Sequence, residues 1–293
     1  MSYLVVEPHL IELVRTMDAQ GFVLTVAGGL GLYLKRRWVE QQVLEHTRMN
    51  LIAAVPQARP TVDIDVFLSM DVFLAPPETG VTRFRAALET LGYRVLPTAS
   101  HFQFAKTVGN RTIKLDLHAR LPRPAEPGLK YKHPRVGRSN QPPQPLHAYG
   151  TPEAFAIEER PRRVPLLAPD GGPFAGEVQV PHPFAALCMK IKAALDHERS
   201  PPEMRKPVNQ KHAFDVYLLL AMLDREESDE LRSMVQTFAD HPELLVIQTA
   251  VTELFGAAGA PGCRTIEVQG RDLGEPVLDL ARFSALLGEH FIA

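Results

Sequence analysis

Apolar residues recur every three or four positions through residues 8–20 (PHLIELVRTMDAQ). This is the spacing of an amphipathic helix, and Gly21 predicts its end. The run FVLTVA (22–27) predicts a buried strand. Gly28-Gly29 then reads as a strand-to-helix turn, with a helical run from about Leu30 to His46. VDIDVFLS alternates as the next strand, and TRFRAALETL (82–91) reads as a helix closed by Gly92, with YRVLP behind it. FQFAKTVGNRTIKLDLHAR holds two alternating runs joined near Gly109-Asn110, the pattern of a hairpin. RVPLLAPDGGPFAGEVQV predicts a second hairpin, turning at Asp170-Gly171-Gly172. Between them, residues 121–163 are rich in Pro, Lys and Arg and read as a long excursion or loop.

From His182 the pattern turns helical, through PFAALCMKIKAALDHE, KHAFDVYLLLAMLD, ESDELRSMVQTFAD and HPELLVIQTAVTELF. A Gly/Ala/Pro linker (256–262) precedes a strand-like RTIEVQG and a last helix near 279–290. The predicted class is α+β: a mixed α/β domain over 1–180, containing the 121–163 excursion, then a mostly helical domain over 181–293.

One strand is odd. In VDIDVFLS, Val62, Ile64 and Val66 face one way, and Asp63, Asp65 and Phe67 the other. Two carboxylates so close repel, and burying them unpaired costs on the order of several kcal/mol each. A divalent cation between them is the simplest remedy. A third acid, Asp116, stands mid-strand on a face shared with Lys114 and His118. Each feature alone has a plain reading. A diglycine is a tight turn, Asp-x-Asp a strand end, and Asp116 one half of a surface ion pair worth little. Their order along successive strands is what points to chemistry.

The bulk properties narrow the field. The chain has 293 residues, 45% hydrophobic and 23% charged, with a net charge of -2. These values suit a globular protein with sizeable cores and exclude a generally basic nucleic-acid coat protein. No apolar run has the length of a membrane span. The N-terminus lacks a basic n-region and a small-residue cleavage site, so no export signal is expected. Two distant cysteines, Cys188 and Cys263, suit a reducing cytoplasm, and no zinc-type spacing is present.

Taken in order, AGGLGLYL, RPTVDID (Arg59, Thr61, Asp63, Asp65), KLDLH (Asp116), CMKIKAAL (Lys190) and KHAFDVYLL (Lys211, Asp215) resemble the motifs of the nucleotidyltransferase superfamily with the polymerase-beta-like fold. The nearer likeness is to AbiEii-like and MenT-like toxins of toxin–antitoxin systems, over roughly residues 22–223. The resemblance implies a small mixed sheet flanked by helices. It also implies transfer of an NMP from an NTP to an acceptor hydroxyl, by in-line attack on the α-phosphate. Asp63 and Asp65 would ligate Mg²⁺ or Mn²⁺, with Asp65 bridging two ions. Asp116 would complete the metal site or serve as general base. Gly28 and Gly29 would let the backbone approach the triphosphate at a helix N-terminus, and Thr61 belongs to the same nucleotide-binding motif. Lys190 would neutralise leaving pyrophosphate, and Asp215 would orient that lysine or contact the nucleotide. The implied acceptor is a tRNA end, with a protein hydroxyl or a small molecule as alternatives, and an antitoxin is the implied protein partner.

Alternatives stay open on the residues. Lys190 is as readily a structural ion-pair partner of Asp215, with Lys192 as the fallback. His118 could help bind substrate or be a satisfied structural histidine. Lys130, Lys132, Arg135 and Arg138, with Arg160, Arg162 and Arg163, suit phosphate contacts, against the simpler reading of a solvated loop. Two other functions compete. One is a non-catalytic binding module of the same fold. The other is a haloacid-dehalogenase-type phosphatase using DIDV as its nucleophile loop, although QARPT before the acids is a poor strand for that role.

Overall fold

The computed structural model describes residues 6–45, 52, 55–56, 63–97, 102–126, 128–138, 146–166, 176–206, 210–274 and 278–292. Arg59, Thr61 and the turn at Asp170-Gly171-Gly172 lie outside the described residues. The chain divides into two units, Met1–Lys35 with Arg59–Pro181, and Arg36–Ala58 with His182–Ala293. Among the described residues no helix is long and apolar enough to cross a membrane.

In the first unit the chain runs α1 (Glu7–Ala19), β1 (Thr25–Val26), the first turns of α2 (Gly28–Glu45), β2 (Asp63–Phe67), α3 (Met70–Leu74), α4 (Val81–Thr90), β3 (Arg94–Val95), β4 (Gln103–Val108) and β5 (Arg111–Ala119). There follow β6 (Leu129–Lys132), β7 (Arg135–Arg138), β8 (Ala148–Gly150), β9 (Arg162–Leu166) and β10 (Gly176–Val180). All ten strands join one sheet, ordered β6-β7-β8-β5-β2-β1-β10-β9, with β4 also on β5 and β3 on β4. Pairing is parallel at β2–β5, β5–β8 and β1–β10, and antiparallel elsewhere. Ile64 and Val66 stand beside Leu115 and Leu117, all four buried, so one face of β2–β5 makes core. The acids therefore occupy the other face.

The 121–163 excursion is more ordered than a loop. It supplies β6, β7, β8 and the start of β9, with a short 3-10 turn at Pro152–Ala154. The β6–β7 hairpin lies at the sheet edge, where Lys130, Tyr131 and Lys132 are all exposed. Val136 and Ala148, paired across β7 and β8, are buried there. Strands of only four residues, LKYK and RVGR, are too short for a periodicity to stand out, so the sequence pattern conceals them.

Arg120 follows β5 and is nearly fully buried. Its Nε donates to Glu158 Oε2 at 2.6 Å, and its two terminal nitrogens clasp Glu126, Nη1 at 2.9 Å from Oε2. Glu158 also accepts the N–H of Met70 at the start of α3, at 2.7 Å. The clasp of Arg120 holds the Glu126 carboxyl below the usual carboxylate range, aided by the backbone N–H of Arg123. Removing the guanidinium would strand two carboxylates around a buried space. Arg120→Ala is therefore expected to destabilise by about 3–5 kcal/mol, and Arg120→Lys by less. The check is the shift in urea unfolding midpoint.

The second unit holds the later turns of α2, then α5 (Pro183–Arg199), α6 (Lys211–Ala221), α7 (Arg225–Thr237), α8 (Pro242–Phe255), α9 (Pro261–Asp272) and α10 (Leu280–Phe291). His182, Asp224 and Asp279 cap α5, α7 and α10 by accepting first-turn N–H groups. The core is aromatic: Phe184 stacks on Phe238 and Phe291, and Phe283 meets Tyr217 and Phe255. The strand predicted at RTIEVQG is the middle of α9. Gly262, Cys263, Ile266 and Gly270 are its buried positions, at helical spacing, while Val268 is 48% exposed. Local alternation lost to tertiary packing: a Cβ on Gly270 would come within 2.6 Å of Leu278.

Candidate active site

The parallel register of β2 and β5 sets Asp65 directly beside Asp116, Asp63 beside Lys114, and Phe67 beside His118. Period-two alternation puts all these acids on the face opposite the core. Asp65, Asp116 and His118 each bring one ligand atom within 4.8 Å of the others. His118 Nε2 is 3.7 Å from Asp65 Oδ1, and its ring stacks on Phe67 with centroids 5.2 Å apart. Asp63 lies outside this trio as the side chains stand. The histidine is thus a more intimate part of the cluster than its sequence reading required. The available signal was its i+2 position from Asp116 on one strand.

Asp116 is held in a costly state. Its Oδ1 is buried with no hydrogen-bond partner among the described residues. Burial raises its pKa first, and the neighbouring Asp65 carboxylate adds to the effect. His118 offsets part of the rise, Asp63 adds to it, and a hydrogen bond from Gln103 lowers it. A divalent cation would reverse both leading causes and supply the missing partner. The two carboxylates are the oxygen donors that hard cations such as Mg²⁺ and Mn²⁺ take, whereas the imidazole is a donor of softer preference. The residues therefore fit the metal that the sequence pattern implies.

The diglycine closes the site from β1. Ala27 donates its N–H to the Asp65 carbonyl at 2.9 Å, drawing the end of β1 onto β2. Gly28 has φ +61°, in the left-handed region, and a Cβ there would sit 1.8 Å from Asp65 Oδ2. Backbone thus lies directly against the carboxylate, which only glycine permits. Gly28 and Gly29 open α2, whose first-turn N–H groups and dipole make a place for anions.

Lys190 and Asp215 belong to the second unit. Lys190 Nζ on α5 lies 2.8 Å from Asp215 Oδ2 on α6, and both side chains are largely buried. Lys192, the fallback, pairs with Asp196 one turn along its own helix at 2.6 Å. In the first unit, a cavity of about 460 Å³ borders Phe67, Thr25, Ser69, Asp71, Glu158 and Gln179. None of the three acids lines it. The phosphatase reading would place the acids at the C-terminal end of a strand, whereas they are the first and third residues of β2.

A solved structure similar to this chain is that of the antibiotic-resistance factor ANT(2'')-Ia, a solution structure described as revealing substrate-regulated conformation dynamics. It is 14% identical, with a TM-score of 0.35, over 80% of this chain and 95% of that one. No curated protein matches the chain. The family model described as nucleotidyl transferase AbiEii toxin, type IV toxin–antitoxin system, matches residues 47–273. That match takes in both acid-bearing strands and most of the helical unit, and the chain belongs to the AbiEii nucleotidyltransferase toxin family.

Proposed function

We propose that this protein transfers an NMP from an NTP to an RNA hydroxyl with the aid of Mg²⁺ or Mn²⁺, a tRNA end being the favoured acceptor. The acceptor oxygen attacks the α-phosphorus, the bond to the β-phosphate oxygen breaks, and pyrophosphate leaves. Asp116 takes the acceptor proton. Asp65, Asp116 and His118, with Asp63 on the same strand face as Asp65, would hold the divalent cation, which when bound would supply positive charge to the transferring phosphate. Gly28 and Gly29 offer N–H groups to the triphosphate. The observation that carries this reading is the unpartnered, buried Asp116 oxygen beside Asp65.

The tRNA end rests on the resemblance of the motifs, and an antitoxin partner on the family's description. A cytoplasmic setting suits the substrates, and neither Cys188 nor Cys263 is in a disulfide. The test is incubation with each α-labelled NTP and total cell RNA, with Mg²⁺ or with EDTA. Label in an RNA band with equal pyrophosphate release, abolished by EDTA, is the expected result. Label on protein only, or transfer unaffected by EDTA, would refute it. Transfer to RNA should also weaken steeply with added salt, whereas a small-molecule acceptor would give a flat response.

A further inference from the structure

Beyond the acids, the same face of the sheet carries an unassigned track. Register aligns Lys132 of β6 with Arg135 of β7, Arg135 with Tyr149 of β8, and Tyr149 with His118 of β5. Cross-strand partners share a face, so these four side chains form one row that ends at the acid cluster. At about 4.8 Å per strand, the row covers roughly 14 Å. Its outer end is cationic. Lys132 and Arg135 are exposed, as is Lys130 on the same face, and none of the three forms an ion pair with a carboxylate of the described residues. Its middle is aromatic. Tyr149 is 36% exposed and braced edge-on by Phe102 and His118, with centroids 5.6 and 5.8 Å away.

We infer that this row is the binding track for a single-stranded nucleic-acid end, a reading that rests on the function proposed above. Lys130, Lys132 and Arg135 hold backbone phosphates. A base stacks on Tyr149, and the terminal nucleotide comes to rest at His118, with its hydroxyl at Asp116. The arrangement selects single strands because the stacking ring needs an unpaired base face, while the cations serve any sequence. A small acceptor held at Asp116 would not span the three strand spacings to the outer cations.

The test is fluorescence anisotropy of the full-length protein with a labelled RNA oligonucleotide that is single-stranded, and with the same sequence as a blunt duplex. Tyr149→Ala should weaken single-strand binding by roughly 5- to 150-fold, and Tyr149→Phe should restore it. Lys132→Gln with Arg135→Gln, both at exposed positions, should lower the slope of log K against log salt by about 1.4. Equal binding of duplex and single strand would overturn the proposal, as would variants that bind like the wild type. NTP binding by the wild-type protein, measured by calorimetry without RNA, reports separately on the proposed function. Its absence would sink that reading, whereas its presence with unaffected RNA binding in the variants would sink the track alone.

Discussion

Asp65→Asn is expected to cripple nucleotide transfer while leaving the fold in place. The substitution keeps the shape of the side chain and removes its charge. Asp65 sits at the centre of the cluster, beside Asp116, 3.7 Å from His118 and under Gly28. Neutralising it removes a ligand and also relieves the repulsion that raises Asp116. Charge stabilisation of the transferring phosphate by a bound cation is worth several kcal/mol, so the rate should fall roughly 10²- to 10⁴-fold. Thermal stability should hold or rise, since two like charges no longer face each other. Pyrophosphate release and a melting curve on the same sample check both halves. Wild-type turnover in Asp65→Asn would remove the metal assignment.

Gly28→Ala is expected to be nearly as severe, for a steric reason. The added methyl would stand 1.8 Å from Asp65 Oδ2, far inside contact distance, at a backbone angle of +61°. Left-handed backbone alone costs an L-residue about 1–2 kcal/mol. Relief comes only from moving the carboxylate or from shifting the start of α2, and either disturbs the cluster. Transfer should therefore drop by about 10² or more, in line with the cost of misplacing one reacting group by an ångström. Gly109→Ala, at an open hairpin turn with positive φ and nothing within 4 Å, is the matched control: backbone strain without the clash. Similar activity losses in the two variants would show that strain, and no carboxylate displacement, governs the effect.

The acids were legible because a strand's period of two is a strong local signal. Ile64 and Val66 had to face the core, and that fixed Asp63 and Asp65 on the other side. The pairing of Asp65 with Asp116 was not legible in the alternation and was implied only by the resemblance of the motifs. It depends on which strand lies parallel to β5, a choice made by the whole sheet. Tyr149 was invisible for a related reason: it lies in a three-residue strand, too short for any periodicity. At RTIEVQG the local signal was present and misleading, because alternating Thr265, Glu267 and Gln269 coincide with a helix that buries Cys263 and Ile266. The ion pair of Lys190 and Asp215 was one of two readings the sequence left open beside a catalytic role, and the structure makes it at 2.8 Å.

Strand β1 is only two residues long, and one of its neighbours is 154 positions away at Gln179. Closing a loop of that length in a flexible chain costs about 4–5 kcal/mol of entropy. A two-residue ladder does not recover that on its own, so the diglycine bend takes its shape only once the far end of the first unit has come home. Excised peptides bearing the glycines and the aspartates are accordingly no miniature of this enzyme.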